Sequence, residues 1–320
     1  MAANGQERLP IIDVHMHALR ADHQGPPPVA MCTPFPAPVW DSAISYGEVF
    51  MGMLKDPPCE DPVWSPETDQ ELQSRTIAEI DRQNIFGILS GTPDLVAQWM
   101  EAAPGRFFPG LGFQIEPGAP SPESLVQLHT DGQLAVLAEV TNQYLGIAPD
   151  DERMKPYWEL AEKLDIPVGI HLGNGPPGVI YLGASGYRAR LHSALTLEEV
   201  LVRHPRLRIY IMHAGYPMID DLLAVMYAHP QVYVGVGVIV YTQPRPAFYR
   251  FLERIIEAGY GKRVMFGSDH MVWPETIERS IAVIEDAPFL SEEQKRDILY
   301  NNAARFLRLS DTEIARHHEM

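Results

Sequence analysis

Six side chains in this sequence have the types and the placement to hold a divalent metal ion: His15, His17, Glu139, His171, His213 and Asp269. Imidazole nitrogens and carboxylate oxygens are borderline ligands that suit zinc, manganese or iron. Each residue trails a short apolar run. The first two lie in Ile11-Ile12-Asp13-Val14-His15-Met16-His17, and the others end runs that start at Leu134, Ile166, Leu207 and Arg263. Taken singly, each is weak. Period-two spacing puts His15 and His17 on one side of a strand, but such pairs also arise by chance. His171 and His213 would each suit a hydrogen-bonded core position, and Asp269 would suit a cap. Jointly they point to a metal site, because chance would have to place the right type at one strand end after another. Glu139 has two readings. As a bridge it joins two ions, with His15, His17 and Asp269 on one and His171 and His213 on the other. Otherwise it orients a ligating histidine from behind.

Residues this far apart meet only if the strand ends converge. Apolar runs alternate with helix-period segments, the pattern of βα units and a parallel sheet. Strands are predicted to begin near Ile11, Ile85, Phe107, Leu134, Ile166, Leu207, Val232 and Arg263. Helices are predicted from Ser65-Pro66-Glu67-Thr68-Asp69 onward, over 150–163, 197–203, 218–228, 247–258 and 276–285, and at the C-terminus over 291–309. The predicted fold is α/β, a (β/α)8 TIM-like barrel in one domain of 320 residues, whose C-terminal strand ends form one mouth. An open doubly wound sheet is the rival, but its glycine-rich turn after the first strand is replaced here by His-x-His.

One segment breaks the pattern. Residues 18–65 are rich in proline yet also carry Phe35, Trp40, Tyr46, Phe50 and Trp64. A disordered linker would lack so many aromatics. The segment is expected to be an ordered insertion walling the mouth, with a homo-oligomer contact as its alternative use.

Composition excludes some partners. A formal net charge of −17 argues against nucleic acid and anionic membrane surfaces. No apolar stretch approaches the ~20 residues needed to span a bilayer, and residues 1–10 lack the apolar core of a signal peptide. Two cysteines, Cys32 and Cys59, make no disulfide framework. Free thiols in a reducing cytoplasm are the default reading, with a bridge between them as the alternative.

The remaining candidates carry less. Arg188 and Arg190 follow the fifth strand end, where an arginine can clamp a carboxylate or phosphate. Tyr216 and Trp273 follow the sixth and eighth, and with Arg188 they are the expected substrate contacts. His204 and His229 read as helix C-terminal caps. His317 and His318 read as a polar tail, and His192 and His270 stay ambiguous.

At these residues the chain resembles the amidohydrolase superfamily, and within it the amidohydrolase-related branch that includes aminocarboxymuconate-semialdehyde decarboxylase. The marks are Asp13-Val-His15-Met-His17, the stretch from Leu160 to His171, the stretch from His204 to Gly215, Phe266-Gly-Ser-Asp269 and Asn302-Ala-Ala-Arg-Phe306. The resemblance implies a distorted (β/α)8 barrel with one or two divalent ions at its mouth. It implies that His15, His17, His171 and Asp269 are ligands, and that His213 either holds a second ion or polarises substrate. Many relatives carry a carboxylated lysine on the fourth strand, near where this chain has Glu139.

Two enzyme readings follow. In the first, a metal ion lowers the pKa of bound water towards 7, Asp269 takes and returns the proton, and His213 or the ion stabilises the oxyanion. That is a hydrolase for an ester, lactone, amide or phosphoester of a small molecule. In the second, the ion holds the carboxylate of an aromatic or unsaturated acid that loses CO₂ without oxidation. Zinc is the expected ion. A third reading, a barrel that binds a small molecule without turnover, leaves the full ligand set unexplained.

Overall fold

In the computed structural model, residues 8–320 are described. Eight strands run parallel and pair in sequence order: β1 (Ile11–Ala18), β2 (Ile85–Gly91), β3 (Phe107–Phe113), β4 (Val136–Val140), β5 (Val168–His171), β6 (Ile209–Met212), β7 (Val232–Gly235) and β8 (Val264–Met265). The last returns to the first. The Val14 N–H donates to Phe266 O at 3.0 Å and the Asp269 N–H to His15 O at 2.8 Å. Buried Asp13 pins the same seam, its Oδ1 accepting from the His15 N–H at 2.9 Å and the Ser268 N–H at 3.0 Å. This is the expected TIM-like barrel.

Two apolar layers hold it. Ile12, Val14, Phe86, Ile88, Val136, Ala138, Tyr210, Met212 and Met265 fill the interior. Ile11, Met16, Leu89, Leu137, Val140, Val168 and Ile170 face the surrounding helices. Local irregularities decide which side chains reach the mouth. A register shift between Asp13 and Met16 changes the phase of β1. Even-numbered Ile12 and Val14 point inward below it, whereas Met16 above it points out. A second shift, between Leu137 and Val140, interrupts β4 around Glu139. Bulges of this kind re-aim side chains beside active sites.

Most predicted helices are present with shifted ends. The first starts at Asp69, where Thr68 caps the Glu71 N–H, and it buries Leu72 and Ile80. Ser65 is not the cap; its Oγ accepts from the Val29 N–H instead. Helices Tyr46–Lys55, Pro93–Ala102 and Pro122–Thr130 were not anticipated. The C-terminal helix runs from a Ser291–Gln294 capping box through a π-helical turn at Asp297–Asn301 to Leu307. It plugs the barrel floor with Tyr300, Ala303 and Phe306, and Asn302 donates to Val264 O at 2.7 Å. The expected polar tail is in fact a further helix, Asp311–Glu319. Its His317 is buried, stacks on Phe86 at 3.6 Å between ring centres, and lies 3.0 Å from the Tyr300 hydroxyl through Nδ1.

The insertion over 18–65 is ordered. Ala30–Met31 pairs antiparallel with Val63–Trp64. That ribbon brings Cys32 and Cys59 together, and they form a disulfide with Cα atoms 5.9 Å apart. The default expectation of free thiols is corrected here, and with it the thiol-based reason for a reducing compartment. The insertion reaches the loop after β5 and the helices after β7 and β8: Tyr46 Oη donates to Pro177 O at 2.5 Å, the Phe35 N–H to Thr242 O at 2.9 Å, and Arg279 Nη2 to Asp61 at 2.7 Å. Among the described residues, no helix is long and apolar enough to cross a membrane.

Candidate metal centre

The structure brings all six candidate ligands to one place at the mouth. His15, His17, His171, His213 and Asp269 are buried, and the Glu139 side chain is 12% exposed. His15 and His17 come from the end of β1, Glu139 from β4 and His171 from the last residue of β5. His213 and Asp269 follow β6 and β8 with left-handed backbones, φ 62° and 53°. Non-glycine residues seldom adopt that region. Here it turns each side chain back over the barrel axis.

Glu139 is central. Its Oε2 lies 3.5 Å from His15 Nε2 and 3.9 Å from His17 Nε2. Its Oε1 lies 2.5 Å from His171 Nδ1 and 3.2 Å from His213 Nε2. Each carboxylate oxygen therefore faces one pair of histidines. Asp269 Oδ1 sits 3.0 Å from His17 Nε2 and 3.5 Å from His15 Nε2. Two sets, His15–His17–Asp269 and His15–Glu139–His213, each place one donor atom per residue within 4.8 Å of the others.

These donors fit a cation. His15 Nε2, His17 Nε2 and Asp269 Oδ1, which face one another, are buried without a hydrogen-bond partner, an arrangement that is costly unless something else satisfies them. His213 Nδ1 lies 2.9 Å from Gly237 O. A carbonyl only accepts, so Nδ1 carries a proton and Nε2 is the atom turned to the cluster.

The electrostatics favour ionised carboxylates. Burial opposes charge on Glu139, but His171 and His15 hold it well below the usual carboxylate range. Burial likewise opposes charge on Asp269, yet His15 and His17 hold it at about 2. Burial, reinforced by neighbouring His213, pushes His171 down. Burial also works against protonated His17 and His213, but Asp269 raises the first and Glu139 the second.

The expected substrate contacts have partners of their own. Arg188 is exposed and donates to Ser185 O at 2.9 Å and Tyr187 O at 2.7 Å, in its own loop. Tyr216 packs against Phe251, ring centres 5.0 Å apart. Trp273 is buried and donates to Val29 O at 2.9 Å, tying the insertion to the loop after β8. Tyr144, which no motif marks, has its ring 4.8 Å from that of His171. His270 has no assigned role in the sequence pattern. That ring is fully buried, neither nitrogen has a partner, and burial beside His17 holds it down to about 3. His192 lies 2.6 Å from the Tyr187 hydroxyl through Nε2 and 3.0 Å from Tyr216 O through Nδ1, an ordering link in the loop after β5.

Comparison with known proteins identifies the family and agrees with the fold. A family model described as amidohydrolase matches residues 12–309. No curated protein matches the chain. Several solved structures share the fold. An uncharacterised TIM-barrel protein from Bordetella bronchiseptica is 17% identical with a TM-score of 0.64, covering 96% of this chain and 100% of that one. A 5-carboxyvanillate decarboxylase from Sphingomonas paucimobilis is 18% identical with a TM-score of 0.58, covering 94% and 100%. A probable 2-pyrone-4,6-dicarboxylic acid hydrolase from Acinetobacter baumannii, solved with citric acid bound, is 14% identical with a TM-score of 0.60, covering 94% and 100%.

Proposed function

This chain belongs to the amidohydrolase family, and on that premise we propose that it is a metal-dependent hydrolase of a small-molecule ester, lactone, amide or phosphoester. The observation that carries the reading is Glu139, with one oxygen turned to His15 and His17 and the other to His171 and His213. That disposition suits a carboxylate shared between two ions, with His15, His17 and Asp269 on one side and His171 and His213 on the other. Zinc is the first choice, with manganese or iron as alternatives. Such ions lower the pKa of water and polarise a carbonyl or phosphoryl oxygen. Asp269, ionised and with Oδ1 unpartnered, takes the proton of the attacking water and returns it to the leaving group. With Nδ1 fixed by Gly237 O, His213 would offer Nε2 as a ligand in the two-ion site, where the ions would stabilise the developing oxyanion; in a one-ion site that role would pass to a protonated His213.

A second reading is decarboxylation of an aromatic or unsaturated acid. His15, His17 and Asp269 form a one-ion set by themselves, and the similar folds include a decarboxylase. A free acid would gain from a cation at the mouth. Among the described residues, no lysine or arginine pairs with Glu139 or Asp269. Hydrolysis is preferred on the position of Glu139 between the two histidine pairs.

Metal counting tests the choice. Wild type loaded with excess zinc or manganese should hold about two ions, and Glu139→Gln about one, because a neutral amide is a poorer ligand than a carboxylate. A single fully occupied site in wild type would remove the shared-carboxylate argument and shift weight to decarboxylation. A panel of esters, lactones, amides and aromatic acids, run with and without chelator, then identifies the reaction.

A further inference from the structure

Seven strand ends or their loops hold polar side chains, but the end of β7 reads Val236-Gly237-Val238 and offers none. It nevertheless touches three of the six candidate ligands. The Gly237 carbonyl accepts from His213 Nδ1 at 2.9 Å as well as from the Ile239 N–H at 2.7 Å. On the other face of the same residue there is no room for a side chain. A Cβ at Gly237 would stand 2.7 Å from His15 Nδ1, 3.2 Å from His15 Cγ and 3.1 Å from Asp269 Cβ. The φ of Gly237 lies outside the left-handed region, so space rather than backbone conformation excludes alanine. The loop is also pinned. Val238 has φ 55° and ψ −47°, the centre of a γ-turn closed by the Ile239 N–H and unusual for a β-branched residue, and its N–H donates to Ser268 O at 3.1 Å, one residue before Asp269.

We infer that Gly237 is a positioning residue of the metal centre, its carbonyl orienting the His213 ring and its bare Cα seating the His15 ring against Asp269. The inference rests on the reading of the cluster as a metal site. A ligand ring is held in place from the side away from the ion, and partners on that side typically change metal affinity by ~10–100-fold when altered. Here that partner is main chain, so it leaves no mark in the sequence except a glycine.

Gly235 is the built-in control, two residues earlier on β7. A Cβ there would meet Val14 and Tyr210 no closer than 3.6 Å, an ordinary contact. Zinc affinity of wild type, Gly235→Ala and Gly237→Ala is measured by competition with a chromophoric chelator. The absorption spectrum of each protein loaded with cobalt(II) reports the ligand geometry. Gly237→Ala should bind zinc ~10–100-fold more weakly and show a shifted cobalt spectrum, while Gly235→Ala matches wild type. Wild-type affinity and an unchanged spectrum in Gly237→Ala overturn the inference. If wild type binds neither ion, the metal reading fails on its own terms, and a metal-free measurement still tests the placement. Gly237→Ala should lower the melting midpoint of the metal-free protein, and His15→Ala should relieve much of that loss. Should Gly237→Ala alone not fold, the His15→Ala background should restore folding. Equal losses in both backgrounds, or no rescue, overturn the contact.

Discussion

Asp269 sits where the backbone turns left-handed, at φ 53°, a region that aspartate and asparagine enter more readily than most residues. Asp269→Asn therefore keeps both the shape and the turn while removing the proton acceptor; as a neutral amide it is also a poorer ligand, so the variant is assayed with its metal occupancy measured. Once a substrate is in hand, turnover should fall by at least ~10²-fold, the scale of an acid–base group. Near-normal turnover with full metal occupancy would show that another group accepts the proton. The candidate ligands were legible in sequence because histidine and acidic side chains stood at the ends of apolar runs. How they point inward was not. Strict alternation from Ile12 and Val14 puts His15 outside the barrel, and only the register shift between Asp13 and Met16 turns it in. Glu139 depends on a similar shift between Leu137 and Val140. Nothing in residue type marks such shifts, nor the closeness of Gly237 to His15 or the left-handed turn at His213. The expected roles of Tyr216 and Trp273 were drawn from chain position alone. Position could not reveal that one ring packs on Phe251 and the other holds Val29.

The strands were the most legible elements, because each is a buried run bounded by polar or turn residues. Helices Pro93–Ala102 and Pro122–Thr130 were also readable, since each starts with a hydroxyl residue, a proline and an acidic residue. So was the last helix, since its start is a capping box, Ser310 with Glu313, a signature that can be read in sequence. The burial of His317 against Phe86 has a measurable consequence. Burial, with Arg316 adding to it, holds this imidazole at about 4, against 6.5 for an ordinary histidine. Between those values the unfolded chain binds the proton and the folded protein does not. Stability is thus greatest above about 6.5 and falls as pH drops towards about 4. His317→Gln removes that term, so its melting midpoint should depend less on pH across this window than that of wild type. Some dependence will remain, because His270, held at about 3 by burial, titrates with the same sign. Parallel curves for the two proteins would show that helix Asp311–Glu319 does not shield His317 in solution.

The barrel core and the mouth are separable parts of the molecule. The interior cluster of Ile12, Phe86, Val136, Tyr210, Met265 and Tyr300 lies below the ligands and involves none of them. Stripping metal should therefore leave the far-ultraviolet circular dichroism intact while lowering the melting midpoint, because an ion that binds only the folded state stabilises it by mass action. At a free concentration of 100 times Kd that linkage is worth about 2.7 kcal/mol. A midpoint indifferent to excess zinc and to chelator would mean that no ion binds the folded protein under those conditions. The seam where Asp13 spans the His15 and Ser268 amides carries a consequence for synthesis. The ligands on its two sides, His15 and His17 on one and Asp269 on the other, are far apart in the chain and so are made at different times; the seam's own Asp13 and Ser268 are 255 residues apart. A growing chain carries His15 and His17 without their carboxylate partner until synthesis, at ~5–20 residues per second, has reached Asp269. Metal capture by this set then becomes a late event, gated by release of β8 from the ribosome, and a nascent chain stalled before Asp269 should take up zinc far more weakly than one stalled well beyond it.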